Sequence, residues 1–218
     1  MTWQSRVFNH FKLYAVTDLD RPAPDILKKI SLAYQNGVDI VQLRSKVLPD
    51  SEKLKLGLAI RKIATKFKKL YFMNDSLDLA ILTHADGLHI GQNDIPARDI
   101  RSLCHKLKRK IFLGLSTHSE AQAVKAMREP IDYFAVGPVF ETPTKPTYRS
   151  VGLKLVQKVS RFAVKPWVAI GGINEGNINQ VLSHGASRVA VVRAIFQPNN
   201  PTAICNRLSQ ILEGNHHV

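Results

Sequence analysis

Residues 39–75 read DIVQLRSKVLPDSEKLKLGLAIRKIATKFKKLYFMND and contain the unit that decides the fold. Its two ends, 39–46 and 69–75, are short apolar runs, which are typical of strands covered on both faces of a parallel sheet. Between them, apolar residues recur from Leu56 to Phe67 at helical spacing, and lysines and arginines occupy the opposite face. The stretch therefore predicts a strand, an amphipathic helix and a second strand.

The same unit recurs along the whole chain. Apolar runs predict eight strands, at 12–18, 39–46, 69–75, 87–94, 111–118, 133–140, 166–173 and 188–196. Helical periodicity follows each of them, at 24–36, 50–70, 76–83, 97–107, 119–128, 152–163, 175–184 and 201–213. Eight such units in 218 residues favour a (β/α)8 TIM barrel, an α/β fold that usually takes ~200–250 residues, over a doubly wound sheet.

No linker or shift in composition marks a second domain. We therefore expect one domain over 1–218, with a short N-terminal extension at 1–11 and a frayed tail at 214–218. Cys104 and Cys205 lie far apart and have no metal-ligand spacing, so neither a disulfide framework nor a zinc site is indicated. No stretch approaches the ~20 apolar residues of a membrane span. We expect a cytoplasmic protein without a membrane partner, and a homo-oligomer remains possible.

The chain is strongly basic. Its 31 lysines and arginines against 17 acidic residues give a net charge of +14, which favours an anionic partner: nucleic acid, a membrane surface or a phosphorylated small molecule. The positive residues are scattered, and their tightest clusters fall where helices should end. This distribution favours a solvated surface over a nucleic-acid-binding stripe. A basic nucleic-acid-binding domain is retained only as an unlikely alternative.

The end of the second predicted strand carries Gln42, Arg44 and Lys46. Their spacing of two would place the three side chains on one side of the strand. Two cations that point together resist desolvation unless an anion joins them, so a bound phosphate or carboxylate is favoured. An ion pair with an acidic residue of a neighbouring strand is the structural alternative.

Acidic residues follow the next two predicted strands. Asn74 and Asp75 end the third strand, and Asp94 ends the fourth. Carboxylates at adjacent strand ends of a barrel can share Mg²⁺ when substrate phosphates complete its coordination. Taken singly, Asp75 and Asp94 could instead be caps of the following helix and turn.

The remaining strand ends carry hydroxyls, imidazole and glycine. Ser116 could hydrogen-bond a ligand and His118 could transfer a proton, although either could cap the next helix. Gly172, in the Gly-Gly pair after the seventh strand, and the pair Val192-Arg193 after the eighth stand where barrels commonly bind a phosphate through backbone N–H groups.

The stretch 135–150, AVGPVFETPTKPTYRS, ends the sixth strand with two hydroxyls and an ammonium set between prolines. Thr142 and Thr144 are candidates to meet one anion, and Lys145 is a candidate to meet another. The prolines restrict the backbone between them.

Seven motifs, taken in order, resemble those of thiamine-phosphate synthase and its relative, thiazole tautomerase: VQLRSK, FMND, ADGLHIGQND, LGLSTH, VGPVFETPTK, VAIGGI and VAVVRAI. The resemblance runs from about Leu13 to Ile195. It implies a transferase that joins 4-amino-5-hydroxymethyl-2-methylpyrimidine diphosphate to 4-methyl-5-(2-hydroxyethyl)thiazole phosphate, with release of diphosphate. It also implies that diphosphate leaves first and that no protein nucleophile is needed.

The resemblance further implies a role for each matching residue. The pyrimidine diphosphate would be held by Gln42, Arg44, Lys46, Asn74, Ser116 and Lys145, of which Arg44, Lys46, Ser116 and Lys145 would be catalytic. Asp75 and Asp94 would hold Mg²⁺, and the thiazole phosphate would face Thr142, Thr144, Gly172, Val192 and Arg193. The family usually has a small serine at the position of Arg193, and the loop after Lys145 is short. Thiazole tautomerase, which would use His118, is the alternative activity.

Overall fold

A computed structural model describes residues 2–19, 25–142 and 149–214. Eight parallel strands follow one another around a closed barrel, and the last strand pairs with the first, with Tyr14 opposite Ala190. The (β/α)8 prediction is therefore confirmed, and the doubly wound alternative is excluded because the sheet has no edge.

The elements follow the predicted alternation. The strands are β1 Leu13–Val16, β2 Ile40–Leu43, β3 Leu70–Asn74, β4 Gly87–Ile90, β5 Phe112–Thr117, β6 Tyr133–Val136, β7 Trp167–Ile170 and β8 Val189–Val191. The helices are α1 Trp3–His10, α2 Ile26–Gln35, α3 Asp50–Phe67, α4 Leu77–Leu82, α5 Ala97–Lys106, α6 Glu120–Ala126, α7 Gly152–Phe162, α8 Ile178–Ser183, α9 Arg193–Phe196 and α10 Thr202–Gly214.

Most of the predicted strands extend too far toward the C-terminus. The polar tail of each run leaves the sheet and forms the loop above it, as at β2, which ends at Leu43 rather than at residue 46. The largest difference is at 188–196, where three residues form β8 and Arg193–Phe196 forms the short helix α9. The loops built from these polar tails surround the C-terminal end of the barrel.

The N-terminal end of the barrel is closed by aromatic side chains. Helix α1 and the residue after it bring Phe8 and Phe11 beneath the strands, and the ring of Phe8 stacks on Phe112 with centroids 4.0 Å apart. Residues 1–11 are thus more than an extension: the part described, 2–11, supplies a plug. Because this end is filled, the barrel interior formed by the described residues is open to a ligand at its C-terminal end.

The second core layer lies between the sheet and the surrounding helices, where buried aliphatic residues pack. Helices α3 and α5 end in the basic clusters at 66–69 and 105–110, on the N-terminal side of the barrel, because each helix returns the chain to the start of the next strand. Of the helices in the described part of the chain, none combines the length and the apolar character that crossing a bilayer requires.

Candidate active site

A cavity of about 410 Å³ opens among the C-terminal strand ends. Residues of β2 and β5 and of the loops after β6, β7 and β8 line it. Eight of the expected site residues meet there, and these are Gln42, Arg44, Asn74, Ser116, Thr142, Gly172, Val192 and Arg193. Thr144 and Lys145 lie outside the described residues.

Arg44 lines this cavity and is buried, with 7% of its surface exposed. Its Nη1 forms an ion pair with Asp18, which follows β1. Its Nη2 is buried and has no hydrogen-bond partner among the residues that the structure describes. The ion pair expected as the structural alternative is therefore formed, but it satisfies only part of the guanidinium. The buried Nη2 still lacks an acceptor among the described residues.

Lys46 lies apart from Arg44 and Gln42. It is exposed in the bend after β2 and does not line the cavity formed by the described residues. A spacing of two residues places side chains on the same face only within a strand. β2 ends at Leu43, so the rule does not extend to Lys46. The expectation that all three side chains point together is therefore wrong for Lys46.

Asp75, directly after β3, and Asp94, in the loop after β4, lie within hydrogen-bonding reach of each other, and neither is among the described residues that line the cavity. Desolvation and the neighbouring Asp94 carboxylate raise the pKa of Asp75 to about 6. Asp75 has φ +60°, and its backbone N–H donates to the carbonyl of His89 at 2.9 Å, which ties the end of β3 to β4. A left-handed aspartate at such a place is a conformation that the surrounding structure has to hold.

Neither aspartate caps a helix. Ser76 occupies the N-cap position of α4, and Pro96 that of α5. The Asp94 carboxylate instead accepts from the backbone N–H of Gly91 at 2.6 Å, within its own loop. The capping alternative is therefore wrong for Asp75, but it holds for Asp94, which caps the turn before Pro96 through one carboxylate oxygen. The Asp75 carboxylate and the other oxygen of Asp94 remain candidates to hold a cation.

A chain of buried hydrogen bonds crosses the barrel interior, and four of its five members line the cavity. Gln42 Nε2 donates to the hydroxyl of Tyr14 at 2.7 Å, and that hydroxyl lies 3.0 Å from the hydroxyl of Tyr133. Tyr133 in turn lies 2.9 Å from His89 Nδ1, and His89 Nε2 lies 2.9 Å from Ser116 Oγ. Burial raises the pKa of both tyrosines, so their hydroxyls keep their protons.

Sequence reasoning missed four residues of this site: Asp18, Tyr14, His89 and Tyr133. Each lies in a predicted strand run, where apolar neighbours conceal a polar side chain. Asp18 had a usable signal, because it ends the run 12–18 in the position that Asp75 occupies at the end of 69–75.

The opposite wall of the cavity is formed by the ends of β7 and β8. Gly172 has φ +67°, and a Cβ there would lie 2.7 Å from Phe140 Cβ, so only glycine lets the loops after β6 and β7 approach this closely. Arg193 is exposed at the rim. The amide of Gln197, with its oxygen toward the guanidinium, accepts from Arg193 Nε at 3.1 Å and Nη2 at 2.7 Å.

His118 also lines the cavity. Its Nδ1 lies 2.5 Å from the carbonyl oxygen of Gly137, and its backbone N–H donates to Gln122 Oε1 at 2.6 Å. Ser119, rather than Ser116 or His118, caps α6 by accepting from the N–H of Gln122. The imidazole is thus oriented by the loop after β6.

The sequence and the fold are both similar to known proteins. The family described as Thiamine monophosphate synthase matches residues 13–195. Thiamine-phosphate synthase of Nostoc punctiforme is 37% identical over 208 residues, which make up 95% of this chain and 56% of that protein. The chain thus spans about half the length of the first relatives it matches.

Shorter relatives are covered more fully. Thiamine-phosphate synthase of Thermus thermophilus is 41% identical over 189 residues, which cover 86% of this chain and 89% of that protein. The solved structure of thiamine phosphate pyrophosphorylase from Pyrococcus furiosus superimposes with a TM-score of 0.85 at 28% identity, over 95% of this chain and 98% of that one.

Proposed function

The chain belongs to the thiamine monophosphate synthase family, and from that premise we propose that it is a transferase that makes thiamine phosphate. Its substrates would be 4-amino-5-hydroxymethyl-2-methylpyrimidine diphosphate and 4-methyl-5-(2-hydroxyethyl)thiazole phosphate. The observation that carries the proposal concerns Arg44, which lines the cavity and has a buried guanidinium nitrogen without an acceptor among the described residues. An anionic group of a substrate would supply that acceptor.

The diphosphate would lie on the side of the cavity where β2, β3 and β5 end. Arg44, Asn74 and Ser116 offer donors there, and Asp18 holds the Arg44 side chain in place from behind. Lys46, on the rim, and Lys145 would supply further positive charge from the loops. Preorganised donors of this kind stabilise negative charge without rearranging when it develops.

The carboxylate pair fits Mg²⁺. Asp75 and Asp94 offer hard oxygen ligands, and desolvation together with the nearby Asp94 carboxylate raises the pKa of Asp75. The described residues contain no cluster of three or more His, Cys, Asp or Glu side chains suited to a metal, so substrate phosphate and water would complete the coordination. Bound there, Mg²⁺ would neutralise charge on the departing diphosphate.

The thiazole phosphate would lie on the opposite wall. Thr142, Gly172, Val192 and Arg193 line that wall, and Thr144 is assigned to the same group from its motif. Gly172 lets the loops after β6 and β7 meet closely at this wall, and Arg193 adds a guanidinium that Gln197 orients. An oriented guanidinium can bind a phosphate through two parallel hydrogen bonds.

The reaction would be a dissociative substitution. The bond between the pyrimidine methylene carbon and the diphosphate oxygen breaks, and its electron pair leaves with diphosphate. The aminopyrimidine ring delocalises the resulting positive charge, and the lone pair of the thiazole nitrogen then forms the new C–N bond. The protein's part is to hold both substrates in line and to stabilise the leaving group.

Product formation from both purified substrates, with and without Mg²⁺, tests the proposal. We expect thiamine phosphate and diphosphate in equal amounts from the wild-type chain, and no product after chelation. Absence of product with Mg²⁺ present would overturn the proposed function.

We also propose that the protein is cytoplasmic and that residues 1–218 form a single domain. We propose that it binds neither nucleic acid nor a membrane.

Thiazole tautomerase is the second candidate, and the placement of His118 favours it. The imidazole lines the cavity with Nδ1 held by the Gly137 carbonyl, as a proton-transferring side chain requires. Such an enzyme would isomerise its thiazole carboxylate phosphate without Mg²⁺ or the pyrimidine. Turnover of that substrate alone, lost in His118→Gln, would favour the tautomerase over the synthase.

A further inference from the structure

The buried chain of hydrogen bonds that borders the cavity joins five strands. It runs from Gln42 on β2 through Tyr14 on β1, Tyr133 on β6 and His89 on β4 to Ser116 on β5. Tyr14 is 1% exposed and Tyr133 is fully buried, so each hydroxyl proton needs an acceptor within the protein. This requirement fixes the direction in which the protons point.

One direction satisfies every member. Gln42 can only donate through Nε2, so Tyr14 accepts from it and gives its own proton to Tyr133. Tyr133 then gives its proton to His89 Nδ1. His89 therefore carries its proton on Nε2 and donates it to Ser116 Oγ.

The reverse direction leaves a proton without an acceptor. If His89 Nδ1 donated to Tyr133, then Tyr133 would donate to Tyr14, whose oxygen already accepts from Gln42. The Tyr14 proton would then point away from both of its partners, and the described residues offer it no other hydrogen bond. A buried hydroxyl in that state is costly.

Packing restricts the orientation of the Tyr133 ring. A Cβ at Gly114 would lie 2.2 Å from the Tyr133 ring, so the ring fills the space that this glycine leaves. The ring of Phe8 meets it edge-on with centroids 5.9 Å apart, at 70° between the planes. The hydroxyl is thus held between Tyr14 and His89 by packing as well as by hydrogen bonds.

We infer that Tyr133 is a positioning residue that locks His89 as the Nε2–H tautomer and thereby makes the Ser116 hydroxyl a donor toward the cavity. Ser116 accepts from His89, so its own proton remains to be given to a bound group. Under the proposed function, on which this inference rests, that group is an anionic or acceptor atom of the pyrimidine diphosphate. A donor whose direction is fixed before binding need not reorganise when the substrate arrives.

Without the Tyr133 hydroxyl, His89 should no longer be restricted to the Nε2–H tautomer. In Tyr133→Phe, His89 Nδ1 loses its donor, so the proton can move to Nδ1 and the Ser116 hydroxyl can turn to donate to Nε2. Tyr14→Phe is the matched control, because it removes a neighbouring buried hydroxyl but leaves Tyr133 able to donate to His89. Tyr71→Phe controls for loss of a buried hydroxyl elsewhere, since Tyr71 pairs with Thr83 outside the cavity.

The first measurement is the histidine ¹⁵N spectrum of the substrate-free protein at pH 8, with the His89 signals identified by their loss in His89→Gln. We expect a protonated Nε2 and an unprotonated Nδ1 in the wild type, in Tyr14→Phe and in Tyr71→Phe, and a mixture in Tyr133→Phe. A protonated Nδ1 in the wild type would overturn the inference, and this result depends neither on the tyrosine variants nor on any activity.

The second measurement is a double-mutant cycle on kcat/KM for the pyrimidine diphosphate. Tyr133→Phe should lower it roughly tenfold in the wild-type background and have little effect in Ser116→Ala, because its effect passes through that hydroxyl. Equal losses in both backgrounds would contradict the inference. Failure of the wild type to form thiamine phosphate would overturn the proposed function alone, since the tautomer is measured without substrate.

Discussion

The Asp75 and Asp94 side chains lie within hydrogen-bonding reach of each other at the ends of neighbouring strands. Two acidic groups in this arrangement repel unless a proton or a metal joins them. Asp75→Asn should therefore raise the melting temperature of the metal-free protein at pH 7.5 by a few degrees, on the order of 2–4 °C. The same change should abolish the increase in melting temperature that Mg²⁺ and diphosphate give to the wild type.

The control for this prediction is Asp78→Asn, which removes an exposed carboxylate three residues away in the first turn of α4. It should lower the melting temperature slightly, through loss of a favourable helix-dipole interaction, and keep the Mg²⁺ response. A full Mg²⁺ response in Asp75→Asn would mean that the metal is held elsewhere.

The same pair predicts a dependence of stability on pH. Because the pKa of Asp75 is raised to about 6 from an ordinary value of 3.8, the native state of the metal-free protein holds a proton that the unfolded state has lost. The stabilisation is complete below pH 4 and is lost as the pH rises through 6. The stability advantage of Asp75→Asn over the wild type should therefore shrink between pH 7.5 and pH 5, as thermal melts of both proteins would show. An unchanging difference would contradict the assignment.

A third prediction concerns the free edge of Arg44. Arg44→Lys keeps a positive charge but loses the second nitrogen, so kcat/KM for the pyrimidine diphosphate should fall roughly 100-fold. Arg61→Lys is a matched control, because Arg61 is also paired with an aspartate, Asp86, and also has a buried Nη2 without a partner in the described structure, but it does not line the cavity. Arg61→Lys should lower the melting temperature and leave kcat/KM unchanged. Equal losses of kcat/KM in both variants would contradict the proposal that the free edge of Arg44 binds the substrate.

The barrel was predictable because its signal is repeated eight times and depends only on which residues are apolar. The loops at its C-terminal end were less predictable. Lys46 does not line the cavity with Gln42 and Arg44, because side-chain alternation stops where β2 ends. The chain from Gln42 to Ser116 was beyond sequence reasoning. His89 and Tyr133 are 44 positions apart and meet only because the barrel closes, and a strand pattern carries no information about contacts across its interior.

A fourth prediction distinguishes the backbone strain of a positive φ from the steric clash of an added Cβ, using alanine substitutions at two glycines. Gly172 and Gly152 both have positive φ, at +67° and +73°, so alanine at either position should cost about 1 kcal/mol in the free energy of unfolding. Among the described residues, nothing lies within 4 Å of the added Cβ at Gly152, whereas at Gly172 it would meet Phe140 Cβ at 2.7 Å and the Glu141 carbonyl at 2.8 Å. Gly172→Ala should therefore cost about 1–3 kcal/mol more and raise the KM for the thiazole phosphate, measured by denaturant unfolding and initial rates. Equal costs at both positions would contradict this.

The last prediction concerns Arg193, the guanidinium that faces the thiazole end of the cavity. If it binds the phosphate, Arg193→Ser should raise the KM for the thiazole phosphate roughly tenfold or more and leave the KM for the pyrimidine diphosphate unchanged. Gln197→Ala keeps the charge but removes the amide that orients it, so it should raise the same KM by a smaller factor. The opposite result, a wild type without synthase activity and an active Arg193→Ser, would mean that Arg193 excludes the thiazole, because the side chain then occupies the place of the substrate's phosphate.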